Sequence, residues 1–572
     1  MEENGSAAFD GLDPECDTGN LEYKLHLCGL DSEKLQKRAT QLRYRVNEGG
    51  GECFYYVGVK DDGQAVGITK EEYNESCENL RQIARLVDCT VLTLEEKVIK
   101  GSKHFGYFLV REAEQSGSYV SLTLGVVGNV DAGKSSTIGC LTRGIADDGR
   151  GKARLSVFNH KHEIQTGRTS SIGHQILGFD ASGAVVNSKT ERLPTWCDIV
   201  NASSKVISLF DMAGHERYLK TTISGLTTLR PDYALVIVGA NHGPLGMTKE
   251  HMSCLLTLKV PFIVLVSKID LAPANVLQET TAKINDIIRK GAHKTPFSIK
   301  SVADVISCAA NMKSDDIVPV LLFSNVTQQN TDLLTLLLNV LPPRHDYMSH
   351  VHDPVELLVD RSYQVTGHPI IVSGLLRQGI VSTGDTLCLG PYFDGSFKPT
   401  KVKSIHCMQR DVKSVKAGQY ICVSLKGVLR SEIKRGMVLV ADKAESKIAV
   451  DEFWAFINIF HSPTTVRVGF EPFLHVDQAR QSVKILEIIK LGKGAACPDE
   501  KERERERESG GVGGAGEEDP CLRTGDRAHI RVRFLARPEY IKPGQRLLFR
   551  EGRVKAAGRV LPRAVDAHLP SK

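Results

Sequence analysis

Apolar and polar positions alternate along this chain with two different periods. The run Val120–Val127 (VSLTLGVV) is almost continuously apolar, as a buried parallel strand would be, and SSTIGCLTRGI after it has a helical pattern. Four further apolar runs, Val206–Phe210, Tyr233–Val238, Phe262–Val266 and Val318–Phe323, are separated by helical segments. Residues 119–345 are therefore predicted to form an α/β domain whose mostly parallel sheet carries helices on both faces. Upstream, residues 1–20 are acidic and small and are predicted to be disordered. Residues 21–118 read as a small α+β domain. LEYKLHL, TVLTLEEKVI and FGYFLVRE are strands, SEKLQKRATQLRYRV and KEEYNESCENLRQIARLV are helices, and CFYYVGVKDDGQAVGI is a hairpin turning at Asp62-Gly63. Downstream of a linker at Pro342–His345, residues 351–442 and 447–566 become all-β, with short alternating strands punctuated by glycine. Within the last segment, residues 492–520 contain the run KERERERE and several glycines, and read as a disordered, solvated insertion.

Bulk composition narrows the class without choosing a function. A chain of 572 residues is too long for one core. With 41% hydrophobic and 25% charged residues it is ordinary for globular domains. Its net charge of +5 permits a polyanionic partner without demanding one. The 14 cysteines are scattered, with no C-x-x-C pair, which suits reduced thiols in the cytoplasm. No apolar run is long enough to span a membrane, and the acidic N-terminus does not resemble a signal peptide. A cytoplasmic protein with no membrane partner is expected.

The chemistry lies at the ends of the apolar runs, where open α/β sheets bind ligands. After the first comes GNVDAGKSS: Gly128, Asn129, Val130, Asp131, Ala132, Gly133, Lys134, Ser135 and Ser136. Gly128, Gly133, Lys134 and Ser135 fit the spacing of a P-loop, and the strand and helix on either side are the required context. Backbone N–H groups of such a loop cradle phosphates, Lys134 reaches the β- and γ-phosphates, and the Ser135 hydroxyl ligates Mg²⁺. After the second run comes DMAGH, in which Asp211 would hold Mg²⁺ through water and Gly214 N–H would meet the γ-phosphate. SKID follows a later run. The Asp270 carboxylate can accept both the N1–H and amino hydrogens of guanine, while Lys268 lies along the base. Adenine has no N1–H and would leave that carboxylate unpaired, which is the kind of mismatch that gives polar sites selectivity. The last run leads to Ser324, Asn325 and Val326, placed to offer a backbone N–H to guanine O6. Four motifs in this order point to GTP and GDP rather than ATP. His160 and His162 lack acidic or cysteine partners and read as solvated loop residues rather than metal ligands.

GNVDAGKSS, DMAGHERY and SKID together resemble the translational GTPases, the class of elongation factor Tu. The interval GRTSSIGHQILGFD and the N-terminal extension are most similar to the GTP-binding protein 1 and 2 subfamily, and the likeness covers roughly Ser121 to Leu561. The resemblance implies a multidomain fold: an N-terminal α+β domain, a P-loop GTPase domain and two β-barrels. It implies that His215 orients the attacking water, and that Asp131 helps to hold a monovalent cation beside the phosphates, although a P-loop aspartate could equally brace the loop. In switch I it aligns Arg168 with the family's arginine and gives Ser171 the place of the Mg²⁺-ligating threonine, with Thr169 as the alternative. Ser170 then stands where the family has an apolar residue flanking the histidine, opposite Val130. One departure is Ser267, where the guanine motif usually begins with Asn; the shorter side chain is expected to lose a bond that braces the P-loop.

Such a GTPase would act with the ribosome and with tRNA or other RNA, in elongation, ribosome rescue or mRNA surveillance. Arginines from Arg527 to Arg537 could form a basic face for RNA or an ordinary solvated surface. The alternative is a regulatory GTPase with protein partners at its N-terminal domain and barrels and no ribosomal role. A GTPase partner of an ATP sulfurylase shares these domains, but no sulfurylase or kinase segment adjoins them here.

Overall fold

The computed structural model describes residues 14–16, 19–99, 102–112, 119–158, 160–166, 169–187, 194–312, 314–364, 369–491, 521–551 and 554–562. Most of segment 1–20, the 492–520 insertion and Arg168 lie outside them. The described residues within Met1–Thr222 and Pro231–Asp346 form one compact unit, and those within Ile223–Arg230 and Tyr347–Lys572 form another.

The first unit opens with a four-stranded sheet built from β1 (Leu21–Lys24), β2 (Glu52–Val57), β3 (Cys89–Ile99) and β4 (Lys103–Glu112), in the order β1-β2-β4-β3. Helices α1 (Ser32–Glu48) and α2 (Lys70–Leu86) cross between strands. Asp31 caps α1, and Thr69 with Glu72 forms a reciprocal capping box on α2. Strand β2 is buried at every position. Its period of two sends Cys53, Tyr55 and Val57 into a core with the two helices. Phe54 and Tyr56 join a second core together with Leu122, Leu124, Ile207 and Leu209 of the sheet that follows. The N-terminal sheet is thus sandwiched, with no solvated face on that strand. A buried ion cluster joins the same two layers. Glu52 pairs with Arg111 at 2.5 Å and with Lys205 at 2.9 Å. Lys205 Nζ also donates to the carbonyls of Asn339 at 2.7 Å and Leu341 at 2.6 Å. Glu15, inside the segment expected to be disordered, pairs with Arg45 at 2.7 Å. The expected hairpin at Asp62-Gly63 shrinks to one bridge, Val59 with Ala65, around a tight turn.

The second sheet of this unit comprises β5 (Val120–Gly128), β6 (Gly173–Phe179), β7 (Lys205–Asp211), β8 (Tyr233–Gly239), β9 (Phe262–Ser267), β10 (Thr295–Ile299) and β11 (Ile317–Leu322). Its order is β10-β11-β9-β8-β5-β7-β6, parallel throughout except for β6. The helices along this stretch of chain are α3 (Lys134–Arg143), α4 (Lys161–Thr166), α5 (Trp196–Asn201), α6 (Leu219–Leu229, of which Ile223 onward belongs to the second unit), α7 (Gly246–Leu258), α8 (Ala274–Ile287), α9 (Val302–Asn311) and α10 (Thr331–Val340). Strands β6 and β10 escape the apolar-run reading because they are edge strands with partly exposed positions.

The second unit holds two closed barrels. One is a ring of Thr386–Gly390, Val438–Ala441, Glu356–Tyr363, Ile370–Gln378, Tyr420–Lys426 and Lys398–Cys407, the last pairing back onto the first. The other closes through Glu452–His461, Arg527–Phe534, Ala479–Lys490, Phe473–Val476, Arg546–Glu551 and Val554–Val560. In Arg527–Phe534 the residues Ala528, Ile530, Val532 and Phe534 face the barrel core. No helix among the described residues is long and apolar enough to cross a membrane.

Candidate functional site

The P-loop lies between β5 and α3. Gly128 and Gly133 take φ of +146° and +96°, and Asp131 takes +60°. A Cβ on Gly128 would fall 2.3 Å from the Ile237 carbonyl oxygen, so the tight turn requires glycine. Lys134 Nζ donates to the Asn129 carbonyl at 2.8 Å across the loop. Burial lowers the Lys134 pKa, against the opposing charges of Asp211 and Asp131. Gly214, after β7, lies against this loop: a Cβ there would sit 2.4 Å from Lys134 Nζ and 2.7 Å from Gly128 O.

Three oxygens converge at the loop's end. Ser135 Oγ is 2.5 Å from Asp211 Oδ2, Thr169 Oγ1 is 3.1 Å from the same oxygen, and the two hydroxyls are 3.0 Å apart. Asp211 Oδ1 is buried with no hydrogen-bond partner, and burial raises the carboxyl's pKa. A carboxylate with an orphaned oxygen and two neighbouring hydroxyls is a donor set that fits Mg²⁺. Ser171 does not join it. Its hydroxyl and N–H, with those of Ser170, donate to the buried Glu163 carboxylate at 2.8–3.2 Å. Of the two candidate hydroxyls, Thr169 is the one within reach of Asp211, while Glu163 of α4 holds the next two serines. Ser170 also meets His162 Nε2 at 2.7 Å. Among the described residues no group of three or more His, Cys, Asp or Glu could hold a metal.

At the other end, Ser267 corrects the expectation of a lost brace. Its hydroxyl donates to the Ala132 carbonyl at 2.6 Å, so the shorter side chain still ties β9 to the P-loop. Ser324 Oγ donates to Asp270 Oδ1 at 2.5 Å and accepts from the N–H groups of Val326 and Thr327. Lys268 adopts φ +61°. Asn325 Nδ2 donates to Thr137 Oγ1 on α3 at 3.0 Å. His215 caps a short turn, its Nδ1 accepting the Arg217 N–H at 3.1 Å, so in the neutral ring Nε2 carries the proton. His215 and Val130 line one cavity with Lys134, Ser135 and Thr169. Two residues of this region have no motif to announce them. Arg154 lines the same cavity. His251 of α7 is wholly buried with neither ring nitrogen hydrogen-bonded, and burial and the Lys134 charge lower its pKa to about 4. On the second barrel, Arg531 and Arg533 both bond Glu452.

These features define a GTPase of the elongation factor Tu class. Residues 120–343 match the family model of the elongation factor Tu GTP binding domain, and 370–440 that of elongation factor Tu domain 2. The chain belongs to the GTP-binding protein 1 and 2 family within that class. It is 39% identical to GTP-binding protein 1 of Xenopus laevis over 94% of this chain and 78% of that protein. With GTP-binding protein 2 of Homo sapiens it shares 37% identity over 96% of this chain and 88% of that one. Elongation factor 1-alpha of Methanocaldococcus jannaschii is 25% identical over 72% of this chain and 89% of its own length. In fold it is similar to translation elongation factor SelB from Methanococcus maripaludis, with a TM-score of 0.52 at 20% identity over 78% of this chain and 80% of that one.

Proposed function

We propose that this GTPase is a ribosome-triggered switch of the cytoplasm, acting with tRNA or other RNA in elongation, rescue or mRNA surveillance. The observation that carries the reading is His215. It follows directly on the DMAG turn and lines the cavity shared by Lys134, Ser135 and Thr169. With Nδ1 held by the Arg217 N–H, its Nε2–H is available to orient a water toward the γ-phosphate once a large partner fixes the ring. Water attacks the γ-phosphorus, the bond to the β–γ bridging oxygen breaks, and GDP and phosphate leave. The P-loop N–H groups and Lys134 stabilise the charge that gathers on the phosphate oxygens. Ser135, Thr169 and Asp211 would hold Mg²⁺, which neutralises phosphate charge when bound. Asp131, exposed on the P-loop, would help to hold a monovalent cation beside the phosphates. Asp270, oriented by Ser324, selects guanine. Boundaries at 118, 345 and 442 separate the functional domains in this reading, and protein partners would meet the N-terminal domain.

The test is GTP turnover by the full chain with and without ribosomes, beside His215→Ala. Strong stimulation that is lost in the variant is the expected result. Absence of stimulation with nucleotide tightly bound would favour a regulatory GTPase working through protein partners.

A further inference from the structure

The cavity over the P-loop contains a second cationic side chain that no motif assigns. Arg154 lies on a short 3₁₀ turn, Ala153–Ser156, half-buried at the cavity wall with Lys134, Thr169, Gly214 and His215. The turn is fastened to the P-loop helix. Ala153 is fully buried, and a Cβ on Gly139 of α3 would lie 2.2 Å from its carbonyl oxygen, so glycine lets the two backbones touch. Asp147 Oδ1 accepts the Ala153 N–H at 3.0 Å, and Asp148 Oδ1 those of Arg150 and Lys152 at 2.9 and 3.1 Å. The Asp147 N–H in turn donates to the Asn325 carbonyl at 2.9 Å, tying this loop to the far end of the site. Gly151, at φ +92°, folds over the guanidinium: a Cβ there would meet Arg154 Nε at 2.4 Å.

We propose that Arg154 is a catalytic residue supplied in cis, its guanidinium contacting the γ-phosphate oxygens of GTP and stabilising the charge that develops as the β–γ bond breaks. Lys134 Nζ is tied to the Asn129 carbonyl at 2.8 Å across the loop. A guanidinium stays charged in the same surroundings and offers a planar fork that matches two phosphate oxygens. Its turn is anchored to α3 through the close approach of Gly139, so the cation is carried by the element that follows the P-loop. The proposal rests on the GTPase assignment alone and is independent of the ribosomal reading.

The experiment is single-turnover GTP hydrolysis by the full chain without ribosomes, with GDP and GTP-analogue affinities and capture of a GDP–aluminium fluoride complex measured in parallel. Arg154→Ala should slow hydrolysis roughly 100-fold or more. It should abolish the aluminium fluoride complex while shifting GDP affinity by less than about threefold. Arg154→Lys should restore part of the rate. Arg150→Ala, which removes an exposed arginine from the same loop, should match the parent. A rate in Arg154→Ala within about threefold of the parent, with the complex still formed, would overturn the proposal. So would an equal fall in GDP and analogue affinity at an unchanged saturated rate. Thermal melting of both Arg154 variants separates these outcomes from misfolding.

Discussion

At the scale of single residues, this site is a matter of which hydroxyl and which carboxylate oxygen face which partner. Asp270 Oδ1 is held by Ser324, and in the proposed reading the carboxylate meets the guanine edge. Asp270→Asn exchanges one acceptor for a donor, which no longer fits the two donors of guanine. GTP affinity should fall by about 100-fold or more, and xanthosine triphosphate, with an oxygen in place of the amino group, should bind better than to the parent; competition binding measures both. Thr169 and Ser171 are separated by their partners, Asp211 for one and Glu163 for the other. Thr169→Ala should raise the Mg²⁺ concentration needed for GTP binding about tenfold, and Ser171→Ala should leave it unchanged in the same titration. His251 makes stability pH-dependent. Its folded pKa is near 4, below the ordinary value of 6.5, so between these values the unfolded chain takes up a proton that the folded chain does not. Stability is unaffected by this group above pH 6.5 and falls as the pH drops through the window, by up to about 3 kcal/mol in all. Urea denaturation at pH 7 and 5 should show a smaller difference for His251→Asn than for the parent.

At the scale of elements, the N-terminal sheet and the strands behind the nucleotide site act as one body. Lys205 opens β7, and Asp211 closes it. Burial pushes the Lys205 ammonium down to about 8 against the pull of Glu52. Burial also works against the ionised Glu52 carboxylate, but the charges of Arg111 and Lys205 outweigh it and hold its pKa below the ordinary value. Removing one member leaves the others charged and unmatched in a dry setting. Glu52→Gln should therefore lower the unfolding free energy of the first unit by about 3 kcal/mol, read by guanidinium denaturation followed through a label in that unit. The strand run CFYYV carried a hint of this arrangement, since it is apolar on both faces. An isolated α+β module would have shown alternation with polar residues on its outer face.

At the scale of the whole molecule, two layers of sheet in the first unit share a core, while the barrels each close on their own. A truncated chain lacking residues 1–118 would expose the apolar side of the sheet that holds the P-loop and leave Lys205 without its carboxylate. It should be recovered as aggregate, or melt well below the full chain, in size-exclusion and thermal-scan measurements. A full yield of monomeric, nucleotide-binding fragment would mean that the shared core contributes little.

The local patterns of the chain determined the parallel sheet, the helices between its strands and the four motifs at the strand ends, because each depends on neighbours within a few positions: a glycine spacing, an apolar run, a cap. They also carried the family likeness. Tertiary structure alone decided the rest. Thr169 rather than Ser171 reaches Asp211 because Glu163, on a different element, holds the serines. Ser267 braces the P-loop because β9 brings its hydroxyl to Ala132, a residue 135 positions away. Arg154 enters the cavity because Gly139 admits its turn against α3. The buried Glu52–Lys205 pair likewise joins residues 153 positions apart. Such contacts arise from the packing of whole elements, and no spacing along the chain encodes them.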